Sequence, residues 1–137
     1  MLKLIRRTFL LAFLATALAG CCGGGPTLGR VEGKVTLDGQ PLANAKVEFQ
    51  PSNNAPSYGT TDAQGHYELV FAPEQFGAIP GEHVVRITTY RASNEPGSTE
   101  VIEESVPAIY NSESTLRKTV TKGEQVIDLA LTTPTTP

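Results

Sequence analysis

Past Arg30 the chain alternates apolar and polar side chains with a period of two, the pattern of strands that bury one face. Val31, Gly33, Val35 and Leu37 share one parity, and Glu32, Lys34 and Thr36 share the other. Asp38-Gly39-Gln40-Pro41 has turn chemistry. Ala45, Val47 and Phe49 then resume the alternation against Lys46, Glu48 and Gln50, which predicts a hairpin. Residues 51–57 read as a loop, a short strand is expected near Gly59 to Thr61, and Asp62-Ala63-Gln64-Gly65 reads as a tight turn. Beyond it Tyr67, Leu69 and Phe71 are expected inward and His66 and Glu68 outward, with Val70 an apolar residue on the outer parity. A strand is expected over 82–90, with Val85 and Ile87 inward, between loops at 73–81 and 91–104. A weaker strand is expected over 116–121, where Lys118 shares the inward parity and suits a protected edge. Ile127, Leu129 and Leu131 complete the core. Past the first twenty residues no window has helical spacing, so the expectation is a sandwich of two antiparallel sheets with about seven strands.

The start of the chain follows other rules. Lys3, Arg6 and Arg7 precede an apolar run from Phe9 to Leu18, too short to span a bilayer, so residues 1–20 read as a signal helix that is removed. Leu18-Ala19-Gly20-Cys21 resembles the lipobox read by lipoprotein signal peptidase. That resemblance implies a diacylglycerol on the Cys21 thiol, cleavage before Cys21, and acylation of the new amine with a palmitate-type chain. Two or more chains hold a protein on a membrane stably. Arg6-Arg7-Thr8-Phe9-Leu10 also resembles the twin-arginine export motif, with Ile5 where that family has Ser or Thr, so both routes stay open and the general secretory one is favoured. Cys22 reads as an incidental small residue. The residue after Cys21 is not Asp, which implies the outer membrane, facing the periplasm or the exterior.

Four segments result: the signal peptide 1–20, a lipidated Gly-rich tether 21–29, a folded domain 30–132 and a frayed tail 133–137. From Cys22 to Gly29 the tether spans at most about 26 Å, so the domain works close to the bilayer. The two cysteines are adjacent and precede the fold, so packing alone must hold the domain together.

The residues of the domain resemble the carboxypeptidase regulatory-like domain. The matching stretches are Val31 to Leu42, Ala45 to Phe49 and Thr61 to Tyr67, with Pro80 to Val85 and Pro107 to Asn111 similar to later landmarks of small bacterial lipoproteins that carry this domain alone. The resemblance covers about residues 30 to 131 and implies a Greek-key-type, immunoglobulin-like or transthyretin-like sandwich. It implies no activity, since such patterns specify a fold.

Chemistry is sparse. His66 and His83 fall on separate strands without metal-ligand spacing and are expected to face solvent or sit in turns, so neither a metal nor a cofactor is expected. Tyr90-Arg91-Ala92-Ser93 is only superficially similar to the Tyr-Arg-Gly-Ser end of transthyretin-like hydrolases, and there is no Gly-x-Ser-x-Gly elbow, so no catalytic residue is expected. Glu95, Glu100, Glu103 and Glu104 read as solvating charges, with calcium as the alternative. The formal net charge is -3, and cleavage would remove three cations and no acid, which argues against nucleic acid. The expected function is that of a monomeric, non-catalytic accessory module for structure or protein contact, with an unidentified envelope partner. The alternative is a carbohydrate- or peptide-binding module that uses Tyr58, Phe76 and Tyr110 near loops.

Overall fold

A computed structural model describes residues 24–135; the signal helix, Leu18, Ala19, Gly20, Cys21 and Cys22 lie outside the described residues. In chain order the strands are β1 (Gly29–Leu37), β2 (Gln40–Pro41), β3 (Lys46–Pro51), β4 (Ser57–Thr60), β5 (His66–Glu68), β6 (Val70–Ala72), β7 (Gln75–Phe76), β8 (Gly81–Thr88), β9 (Arg91–Ala92), β10 (Val101–Ile102), β11 (Arg117–Val120), β12 (Gly123–Val126) and β13 (Leu129–Leu131), with a 3-10 turn at Ala108–Tyr110.

The domain is all-β, a sandwich of two sheets. One is centred on β1, which pairs with β2 and β5 antiparallel and with β12 and β13 parallel; the other runs β11-β8-β3-β4-β6-β7, antiparallel throughout. Between them lie Val31, Val35, Tyr67, Leu129 and Leu131 from the first sheet and Val47, Phe49, Val85, Ile87 and Val120 from the second, all buried. The period-two alternation therefore maps onto the core, because each strand has only one face to bury.

The expected hairpin between 31–37 and 45–50 does not form. Asp38 and Gly39 both take positive φ, as this two-residue turn requires, but the ladder stops just past Pro41: Leu42 N–H still reaches Val35 O at 3.0 Å, whereas Val35 N–H is already given to Gly65 O at 2.8 Å. The chain instead crosses to the second sheet, where β3 pairs with β4 and β8. The C-terminal strands are parallel to β1 rather than antiparallel to a neighbour.

A second sheet change corrects the expectation for Phe71. Leu69 is fully buried at the seam, its N–H bonded to Val31 O at 2.9 Å and its carbonyl accepting Gly77 N–H at 2.7 Å. After it the chain leaves β1 and pairs with β4 as β6, so Phe71 stays half-buried outside the core cluster. The expected loop 73–81 contains β7, and Ala78 bridges to Gly29 and is buried. Within 91–104 the short pair β9 and β10 forms. Lys118 lies on β11, an edge strand of its sheet, as its parity suggested.

Between β12 and β13 the chain is held to β1 by a local device. Ile127 N–H donates to Glu32 O at 2.8 Å and Asp128 Oδ1 accepts Lys34 N–H at 2.8 Å. The carbonyl of Ile127 sits where a side chain on Gly33 would be, since a Cβ there would lie 2.0 Å from that oxygen. Tyr67 donates its hydroxyl to the same oxygen at 2.5 Å, and burial, then Asp128, pushes its phenol pKa upward.

The registers also fix which end meets the tether. Gly29 is level with Gly123 and Ala78, and Pro51, His83, Gly81 and Val120 lie at that same end. The turns at 38–39 and 62–65 and the β9–β10 pair occupy the opposite end, beyond Lys46 and Thr88.

Candidate functional site

The outer face of the second sheet carries a row set by strand register. Arg86, Glu48, Tyr58, Val70 and Phe76 are successive cross-strand partners and so project from the same face. This explains Val70: its outward parity is half covered by the two aromatic neighbours. Tyr58 is 39% exposed and Phe76 50% exposed. Lys46 Nζ lies 4.3 Å from the centre of the Tyr58 ring, and the Arg30 guanidinium 5.8 Å from that of Phe76, both cation–π distances.

Above this row is a cleft of about 390 Å³ lined by Asn44, Lys46, Tyr58, Thr60, Tyr90 and Arg91, with Glu68 and Val70 along one side. Tyr90 is 54% exposed. The single carboxylate in the lining, Glu68, is held by Arg30 at 2.7 Å. Lys46 and Arg91 have no carboxylate within salt-bridge distance among the described residues, whereas Arg30, Arg86 and Arg117 each have one. The cleft is cationic on an acidic chain.

Two wider depressions have the opposite character. One of about 540 Å³ is lined by Glu32, Asp62, Glu68 and Asp128 with Lys34 and His66, and one of about 510 Å³ by Arg30, Glu32 and Glu124. The first one's carboxylates have local duties: Asp62 Oδ1 accepts the N–H groups of Gln64 and His66, Asp128 accepts Lys34 N–H, and Glu68 holds Arg30. Among the described residues no cluster of three His, Cys, Asp or Glu is arranged to hold a metal.

Of the three aromatics singled out in the sequence, the structure brings Tyr58 and Phe76 to either side of Val70 and does not bring Tyr110 to them. Tyr110 packs half-buried against the core, with its hydroxyl accepting Thr132 N–H at 3.2 Å. In the sequence Tyr90 and Arg91 show only a superficial similarity to a hydrolase end. Their place in the cleft follows from the non-local register of β3 on β8, which no local pattern reveals.

His83 corrects the solvent-facing expectation. It is 1% exposed, packs on Phe49 at 5.8 Å between ring centres, and places Nε2 2.6 Å from Ile79 O, while Nδ1 has no partner. Its parity with Val85 and Ile87 was the available signal. His66 is exposed on β5, as expected.

Glu104 has a role that the acidic composition concealed. One of its oxygens accepts Thr89 N–H at 2.9 Å, Thr89 Oγ1–H at 2.8 Å and Val106 N–H at 3.0 Å, and the other accepts the Thr88 hydroxyl. Partial desolvation raises its pKa, but the bonds from Thr88, Thr89 and Val106 outweigh this and bring it down to about 2 from an ordinary 4.5. A lowered carboxyl pKa contributes stability that is complete above pH 4.5 and is lost as the pH falls toward about 2. Glu104→Gln should remove that acid-sensitive component, on the order of 1 kcal/mol after solvent screening. Urea midpoints measured across this range check it, and a variant with the same acid dependence as the parent would contradict it.

No family model and no curated protein sequence matches the chain. Among solved structures it is similar to a 9R-lipoxygenase from Cyanothece, at 18% identity and TM-score 0.44 over 79% of this chain and 17% of that one. It is also similar to a DUF3823 family protein from Parabacteroides merdae, at 19% identity and TM-score 0.39 over 77% of this chain and 46% of that one. The chain spans less than half the length of either protein.

Proposed function

We propose that this chain is a non-catalytic binding module, lipid-anchored through Cys21 to the bacterial cell envelope and sorted to the outer membrane. The anchor rests on the order of basic start, apolar run and Leu18-Ala19-Gly20-Cys21. The domain is of the carboxypeptidase regulatory-like, transthyretin-like kind, a reading supported by the Asp38-Gly39 and Asp62-to-Gly65 turns at the places where that resemblance puts them. The non-catalytic part is supported by the two histidines: His83 is taken up by the core and His66 stands on another strand.

The observation that carries the binding part is the cleft between Tyr58 and Tyr90. It lies in the half of the domain away from the tether, so a short anchor leaves it facing away from the bilayer. Two exposed rings beside polar and charged groups suit a sugar or a peptide. A structural or protein-contact role is the second reading, supported by Val101 and Ile102, both exposed on β10 at the same end.

Detergent-solubilised lipoprotein applied to a glycan and peptide array tests this. Saturable binding to one class is expected, with Tyr58→Ala weakening it about tenfold, equivalent to about 1.4 kcal/mol. Capture of one envelope protein with no array signal would replace it with the second reading.

A further inference from the structure

We propose that the Tyr58–Tyr90 cleft takes a carboxylated oligosaccharide of the uronic-acid type, with a sugar ring against Tyr90 and its carboxylate between Lys46 and Arg91. The proposal rests on the binding reading above and adds the class of ligand. Charge is the first argument. Lys46 and Arg91 are the two cations of the lining without a carboxylate partner among the described residues, and Glu68 is already neutralised by Arg30. The formal net charge of the chain is negative, the two larger depressions carry carboxylates, and Glu100 and Glu103 border Arg91 on its far side, so within this region an anion finds its complement on the side of the cleft shared by Lys46 and Arg91. The ring of Tyr58 holds the Lys46 ammonium at 4.3 Å, which orients it in advance of a ligand.

Backbone pairing separates a glycan from an acidic peptide. Tyr58 stands on β4, which is paired along its length with β3 and, at Tyr58 itself, with Val70 of β6. A peptide therefore finds no free strand edge at Tyr58 and would lose main-chain bonds that give such binding its affinity. A pyranose needs none of them. Its C–H face can lie on the exposed Tyr90 ring, and its hydroxyls meet side chains able to donate and accept, those of Asn44 and Thr60.

The test is calorimetric titration of the detergent-solubilised lipoprotein with oligogalacturonate, its methyl ester and oligoglutamate, at low and high salt. Saturable binding of oligogalacturonate is expected, weakened at high salt and at least about tenfold weaker for the methyl ester. Lys46→Gln, Arg91→Gln and Tyr90→Ala should each weaken it by a similar factor without moving the melting temperature, since all three side chains are exposed. Equal binding of acid and ester would overturn the anionic ligand and leave a glycan module standing. Oligoglutamate binding as tightly as the sugar would overturn the glycan class, and binding indifferent to all three substitutions would overturn the cleft. No binding to any of the three, with no array signal either, would remove the binding reading itself.

Discussion

Gly65→Val should lower the stability of the domain by about 3 kcal/mol or more, seen as a marked fall in the urea midpoint with an unchanged slope. Gly65 has φ +82, a left-handed conformation that costs a residue with a Cβ about 1 to 2 kcal/mol and suits a β-branched one least. A Cβ would also lie 2.5 Å from the carbonyl oxygen of Val35, a backbone atom of β1 that cannot swing away. Relief by movement is blocked from both sides. Gly65 O accepts Val35 N–H at 2.8 Å, Gly65 N–H donates to Asp62 O at 3.0 Å, and the Asp62 carboxylate caps Gln64 and His66. Shifting the turn would pull β5 out of register and withdraw Tyr67 and Leu69 from the core. An unchanged midpoint would contradict this account of the turn, and unchanged stability with lost ligand binding would make the turn part of the binding surface instead.

This turn was legible in the sequence because its chemistry is local: an Asp that can accept from the residues after it, and a Gly where positive φ is needed. The alternation of β1, β3 and β8 was legible too, because a face is either buried or not and parity reports it. Strand partnership was harder to read. The first hairpin stops at Leu42, where Gly65 O takes the N–H of Val35, and only such non-local competition decides where the chain goes next. Phe71 kept the parity of Tyr67 and Leu69 while the chain changed sheets at Leu69, so the same spacing ceased to mean the same side. Residue type alone puts His83 at the surface, whereas its parity with Val85 and Ile87 points it inward, where it lies. The cleft is half visible in the sequence: Tyr58 is an aromatic near a loop, whereas Lys46 and the adjacent pair Tyr90 and Arg91 reach it from two other parts of the chain.

The other large effect concerns the anchor. Cys21→Ala should abolish fatty-acid attachment, and any copy from which residues 1–20 have been removed should leave the membrane, because the domain offers the bilayer little else. Among the described residues no helix is long and apolar enough to cross a membrane, and the tether end presents only scattered cations such as Lys118, opposite His83, and Lys122. Loss of two or more acyl chains removes about 0.8 kcal/mol for each buried methylene, far more than a few scattered cations, at about 1 kcal/mol each, restore. The fold should be untouched, since the folded strands begin at Gly29. The most direct measurement is the mass of the N-terminal peptide of protein extracted from membranes, with parent and variant side by side. The account predicts a parent peptide that begins at Cys21 and carries a diacylglycerol with or without a further acyl chain, and no lipid on the variant. A parent peptide that begins elsewhere or bears no lipid, or a variant that remains lipidated and membrane-bound, would contradict it.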